Sequence, residues 1–193
     1  MTFDAVTTAY RCGAAYARAV PRPIVDVTAR VLSRAAASAS AERRMLVARH
    51  LCRARPGLSG GALDCAVDAT FDSYARYWVD SFRLPQLSPE EVDFGFSVEG
   101  YRNIAEPLDE GRGVILALPH LGGWEWAGFW LTQVMGLTVT VVVEPVEPPA
   151  LFDFFADFRR ELGMNIVPLG PSAGSETLRA LRIRGSWPGG KST

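Results

Sequence analysis

Residues 119–125 read PHLGGWE and set His120 five positions ahead of Glu125. Histidine is the side chain whose ordinary pKa lies near neutral pH, so its imidazole can take a proton from a hydroxyl. A neighbouring carboxylate improves such a base by fixing its tautomer and stabilising the imidazolium that forms. Between the two, Gly122 and Gly123 allow the backbone close to a reacting carbonyl, and amides at the start of a following helix can donate to an oxyanion. Glu125 falls in the first turn of that helix, where negative charge is favourable. The same residues also suit plain punctuation between two buried elements, and spacing alone leaves both readings open.

Two further patterns compete for the chemistry. GPSAG at 170–174 matches G-x-S-x-G and would make Ser172 the nucleophile of a serine hydrolase. That elbow takes its histidine from after the serine, whereas His50 and His120 both precede it. Pro171 also removes a backbone N–H from the turn. A serine opening the last helix as its cap, Ser172 or Ser175, is the simpler account. The end of the chain, GSWPGGKST, matches a phosphate-binding loop from Gly185 to Ser192, but a charged helix precedes it where a strand belongs and one residue follows.

Two classes of element must position these residues. The first ~90 positions read as helices rich in alanine and arginine, broken at PRP (21–23) and RPGLSGG (55–61). Within them Phe71, Tyr74, Trp78 and Phe82 recur at three and four, one apolar stripe for the core or for lipid. Ser88-Pro89-Glu90-Glu91 can start a further turn. From residue 100 the pattern alternates. YRNIAEPLDEGR predicts a helix, GVILALP a strand, WEWAGFWLTQVMG a helix, LTVTVVVEP a strand, PPALFDFFADFRRELG a helix, MNIVPLG a strand and SAGSETLRALR a helix. Such alternation with short connections predicts an α/β fold with a parallel-rich sheet flanked by helices. His120 and Glu144 then stand at carboxyl ends of strands, where function gathers in such sheets. The expected division is a helical, basic and apolar region over 1–98, an α/β core over 99–182 and an irregular tail over 183–193.

Composition narrows the partners. Apolar residues make up 48 % of the 193-residue chain, which excludes a disordered polymer. The net charge of −1 conceals an asymmetry, because residues 1–55 hold ten arginines against Asp4, Asp26 and Glu42. A basic, apolar amino-terminal region fits an anionic surface or a solvated helical face. Nucleic acid is disfavoured, since the basic stretch has only Tyr10 and Tyr16 as aromatics and no binding module. Three cysteines without a CxxC pair suggest a reducing compartment, and His50 with Cys52 falls short of the about four ligands of a zinc site. The first thirty residues lack the unbroken apolar run of a secretory leader. Trp126–Val143 is uncharged over a length near that of a membrane span, but Gly136 divides it into a helical half and a β-branched half.

His-x4-Glu at a strand end, after a basic helical region, resembles the His-x4-Asp/Glu motif of the glycerolipid and late lipid A acyltransferases. GRGVILALPHLGGWEWAGFWL and VVVEPVEPPALFDFFADFRRELGMNIVPLG are similar to the actinobacterial branch that acylates phosphatidylinositol mannosides, over roughly residues 65–182. The resemblance implies an acyltransferase moving a fatty acyl chain from acyl-CoA, a co-substrate, to a mannose hydroxyl of a membrane glycolipid. It makes His120 the base and Glu125 its orienting carboxylate, with Gly122 and Gly123 at the oxyanion. Glu144 and Arg159 match polar positions of the family's active-site region, the latter suited to a phosphate. It implies no metal or tightly held cofactor, and a peripheral place on the cytoplasmic side of the plasma membrane. The family continues past the third of these helices, so IRGSWPGGKST implies a chain that stops mid-domain; activity is then a separate claim from membership. The alternatives are the serine hydrolase and a non-catalytic remnant that associates with membranes.

Overall fold

The computed structural model describes residues 4–119 and 121–182. Four helices lead: α1 (Ala5–Ala19), α2 (Arg22–Ala39), α3 (Ala41–Ala54) and α4 (Gly60–Arg83). Pro21 stands at the N-cap of α2 and Pro23 in its first turn, where the N–H a proline lacks would have no intrahelical partner. Ser40 separates α2 from α3 and caps the latter, its hydroxyl accepting from the Arg43 N–H.

Residues 13–83 form one compact unit. Its long helix α4 carries aspartates that meet arginines of α2 and α3, namely Arg22–Asp80 at 2.6 Å, Arg34–Asp72 at 3.0 Å and Arg44–Asp68 at 2.6 Å. Arg83 closes the unit by donating to the carbonyls of Ala17 and Val20 at the end of α1, while Arg18 Nε donates to the Phe82 carbonyl. Helix ends leave such carbonyls without partners, and a cation is the natural donor there. The aromatic stripe of α4 grades from core to surface. Phe82 is buried and stacks on Trp78 at 5.3 Å, whereas Tyr74 is exposed.

The described residues from 84 onward form the second unit, together with residues 4–12. A 3-10 turn (Leu84–Gln86) leads into α5 (Pro89–Phe94), which begins with a full capping box between Ser88 and Glu91. Helix α6 (Arg102–Asp109) follows, then α7 (Trp124–Phe129), which runs on as a π-helical turn over Trp130–Val134. Strand β1 (Thr140–Val143), helix α8 (Pro149–Glu161), strand β2 (Asn165–Pro168) and helix α9 (Ala173–Arg182) complete the order. The two strands pair in parallel, Thr140 opposite Asn165 and Val143 opposite Pro168, so β1, α8 and β2 make one crossover unit. The core lies between α7 and α8. Phe129, Trp130, Leu131, Phe158, Leu162 and Met164 meet there with Leu84 and Val92. Trp130 ties the preceding helices to it: its indole N–H donates to Asp93 at 2.8 Å, and Phe96 and Tyr101 pack on its ring. Burial first, then the negative charge of Asp109, raises the Tyr101 phenol above its ordinary value.

The α/β expectation is therefore met only in part: the described residues are mostly helical, with a two-stranded parallel sheet. The correction concerns GVILALP. Residues 113–119 form no strand, and Ile115 is 73 % exposed. A parallel strand exists only through a neighbour's N–H and C=O groups, and no segment among the described residues supplies them there. The uncharged run from 126 to 143 resolves into helix, turn at Gly136 and strand, and no helix among the described residues is long and apolar enough to cross a membrane.

The α2–α4 contact carries a pH dependence. Asp72 accepts from Arg34 and from the Ser33 hydroxyl, and these bonds, the Arg34 one foremost, hold its carboxyl below the ordinary value of 3.8 against the opposing effect of burial. A depressed carboxylate stabilises the fold above its unfolded pKa, and that share is lost as pH falls through the folded one. Thermal unfolding should show Asp72→Asn less stable than the parent at neutral pH, with the gap closing in acid below about pH 4. A gap of constant size across that range would contradict the assignment.

Candidate active site

The site is built where the end of α8 docks on α7. Helix α8 terminates in a Schellman motif: the Gly163 N–H donates to the Arg160 carbonyl at 2.9 Å and the Met164 N–H to the Arg159 carbonyl at 3.1 Å. Gly163 has φ +85°, a left-handed conformation that a side chain disfavours. The turn then seats against α7. Thr132 donates to the Leu162 carbonyl at 2.7 Å, and the Met164 thioether lies where any side chain at Gly128 would be, a Cβ there falling 2.2 Å from its Cε. With both helices fixed, the last turn of α8 faces the first turn of α7.

Glu125 and Arg159 meet across that junction. Glu125 is 1 % exposed, in the first turn of α7 where the helix N-terminus favours its charge. Arg159 Nη2 stands 3.6 Å from Glu125 Oε1, an ion pair too long for a hydrogen bond. The guanidinium lies 4.9 Å above the Trp124 ring and 5.7 Å from that of Phe155, a cationic plane held by two aromatic faces. Its Nε is buried and has no hydrogen-bond partner among the described residues. Tyr10 meets the same Phe155 edge-on at 5.1 Å.

The remaining candidates are placed as follows. Gly122 has φ +62°, and Gly123 sits at the N-cap of α7, so the two glycines directly precede Glu125. Glu144 is exposed, one residue past the end of β1. His120 lies outside the described residues, as does the Gly185–Ser192 pattern. Ser172 is exposed on the turn before α9, where its carbonyl accepts from the Glu176 N–H at 3.0 Å and from the Ser175 hydroxyl at 2.8 Å. Among the described residues no cluster of three His, Cys, Asp or Glu side chains could hold a metal ion. Sequence reading missed the aromatic clamp of Trp124 and Phe155. Phe155 precedes Arg159 by four residues on α8, a spacing that puts both on one face and could have revealed half of it.

Comparison with known proteins places this chain in a family. Residues 2–183 match the model of the bacterial lipid A biosynthesis acyltransferases. The chain belongs to this family. It is similar to the phosphatidylinositol mannoside acyltransferase of Mycolicibacterium smegmatis, with 40 % identity over 106 residues, 55 % of this chain and 34 % of that protein. The enzyme of the same name from Mycobacterium tuberculosis is 39 % identical over 103 residues, 52 % of this chain and 32 % of that protein. The match thus spans about a third of the length of these curated relatives.

Two outcomes test the geometry. Gly163→Ala should cost about 1–2 kcal/mol in chemical denaturation, since it forces a side chain into the left-handed region and towards Gln133 and Thr132. A neutral substitution would show that the turn does not hold α8. Arg159→Met should cost about 1–3 kcal/mol by removing the cation that faces a buried carboxylate. The double variant Arg159→Met/Glu125→Gln should regain much of that loss. Strictly additive losses would mean that the two side chains do not interact.

Proposed function

We propose that this protein is an acyl-CoA-dependent O-acyltransferase that acylates a membrane glycolipid, a mannose of phosphatidylinositol mannoside being the favoured acceptor. The observation that carries the reading is the buried carboxylate of Glu125, set in the first turn of α7 directly after the Gly122–Gly123 pair and five residues from His120. Membership of a lipid acyltransferase family and the 40 % identity to a phosphatidylinositol mannoside acyltransferase support the substrate class.

In this mechanism His120 takes the proton of the acceptor hydroxyl as its oxygen attacks the thioester carbonyl carbon. Glu125 orients the imidazole and stabilises its charged form. The backbone amides beside Gly122 and Gly123 donate to the oxyanion of the tetrahedral intermediate. Collapse breaks the C–S bond, and the imidazolium returns its proton to the departing coenzyme A sulfur, which leaves the ester and a free thiol. Arg159, a forked cation with an unsatisfied Nε–H, suits a phosphate of the donor or of the lipid. Glu144 matches a second polar position of the family's active-site region. The protein works peripherally on the cytoplasmic side of the plasma membrane and needs no metal or bound cofactor.

Thiol release from palmitoyl-CoA tests this reading. Release should require the glycolipid acceptor. His120→Ala and Glu125→Gln should each lower it by roughly 10²–10⁴-fold, with Ser172→Ala unaffected. Release without acceptor that depends on Ser172 would point to a hydrolase, and no turnover with any acceptor would overturn the proposal.

A further inference from the structure

The first turn of α7 and the last turns of α8 each bring one ring and one charge to their junction. Helix α7 supplies the adjacent Trp124 and Glu125, and α8 supplies Phe155 and Arg159, four residues apart and so on one face. Hydrogen bonds do little to fix the guanidinium between them. Its Nη2 stands 3.6 Å from Glu125 Oε1, and its buried Nε has no hydrogen-bond partner among the described residues. The Arg159 side chain is nonetheless only 17 % exposed. A long, rotamer-rich side chain held without such bonds owes its position to what it packs on.

That packing is aromatic. The guanidinium carbon lies 4.9 Å from the centre of the Trp124 ring and 5.7 Å from that of Phe155, both within the range over which a ring face attracts a cation. Phe155 is braced in its turn, since Tyr10 and Phe154 meet its ring edge-on at 5.1 and 5.3 Å. The two rings therefore decide where the positive charge facing Glu125 sits.

We propose that Trp124 and Phe155 are positioning residues of the reaction, clamping the Arg159 guanidinium against Glu125 so that this carboxylate keeps the arrangement that serves the base. The effect on turnover rests on the acyl-transfer reading; the clamp itself rests on the ring–cation geometry alone. The attraction comes from the ring faces and not from side-chain volume. Leucine at 155 keeps the apolar bulk and removes the face, whereas tyrosine keeps the face.

Heteronuclear N–H correlation spectra of the full chain read the clamp without turnover. The Arg159 Nε–H signal is assigned by its disappearance in Arg159→Met. In the parent, ring currents should shift it upfield, and it should exchange slowly with solvent. Phe155→Leu and Trp124→Leu should each return it towards the exposed arginines and speed its exchange roughly tenfold or more. Phe155→Tyr should leave it near the parent position. In thiol release at saturating glycolipid, Phe155→Leu should lower kcat roughly tenfold, with the KM for palmitoyl-CoA changed by less than about threefold. Phe155→Tyr should recover most of the lost kcat. A signal unmoved by both leucine variants overturns the proposal. So does an intact kcat in Phe155→Leu, or one lost equally in Phe155→Tyr, which would give the ring a packing role only. A parent with the upfield signal but no acceptor-dependent release upholds the clamp and overturns its part in acyl transfer, so the two failures are told apart.

Discussion

The junction between the end of α8 and the start of α7 governs the candidate site. One backbone conformation, the left-handed Gly163, closes α8 and turns Met164 into the gap opposite Gly128. The carbonyl of Arg159 is itself an acceptor in that closure, so its side chain leaves α8 from a fixed position. What meets it is a carboxylate that would be costly to bury alone. The pair at 3.6 Å, the helix N-terminus and the two aromatic faces share the work of holding opposite charges in a largely dry place. In the proposed mechanism a carboxylate held this way would orient the base without moving during the reaction.

The first unit solves a different problem by a related means. Its buried apolar residues are mostly small, with Ala14, Ala17, Val25, Ala37, Val67 and Val79 beside Phe82. Arginine–aspartate pairs at partly exposed positions fix their lateral register. Such pairs add modest stability individually but discriminate against slipped packings. They also take up three of the four aspartates of α4, while α2 and α3 together hold seven arginines against Asp26 and Glu42. The polarity of the surface is thus a by-product of how the bundle is aligned.

Much of this was legible in the residues. Glycine after RREL and prolines before ALFDFF marked both ends of α8, and the β-branched run VTVVV marked β1. These are local signals, set by backbone conformation and side-chain shape, and a sequence displays them directly. GVILALP was misread because an apolar run reports a tendency to be buried, whereas a strand requires a partner whose position no local pattern contains. The Trp124–Arg159–Phe155 stack was hidden for a similar reason. Trp124 and Arg159 lie on different helices, and only the turn at Gly163 brings them together.

The thioether lodged against Gly128 has a chemical corollary. Met164 is 2 % exposed within the hydrophobic core, with its thioether against Gly128, so a sulfoxide oxygen would be buried among apolar side chains. An oxidant can reach the sulfur only when the turn lifts away from α7. The rate at which Met164 gains that oxygen therefore counts the openings of the joint, and once gained the oxygen wedges it apart.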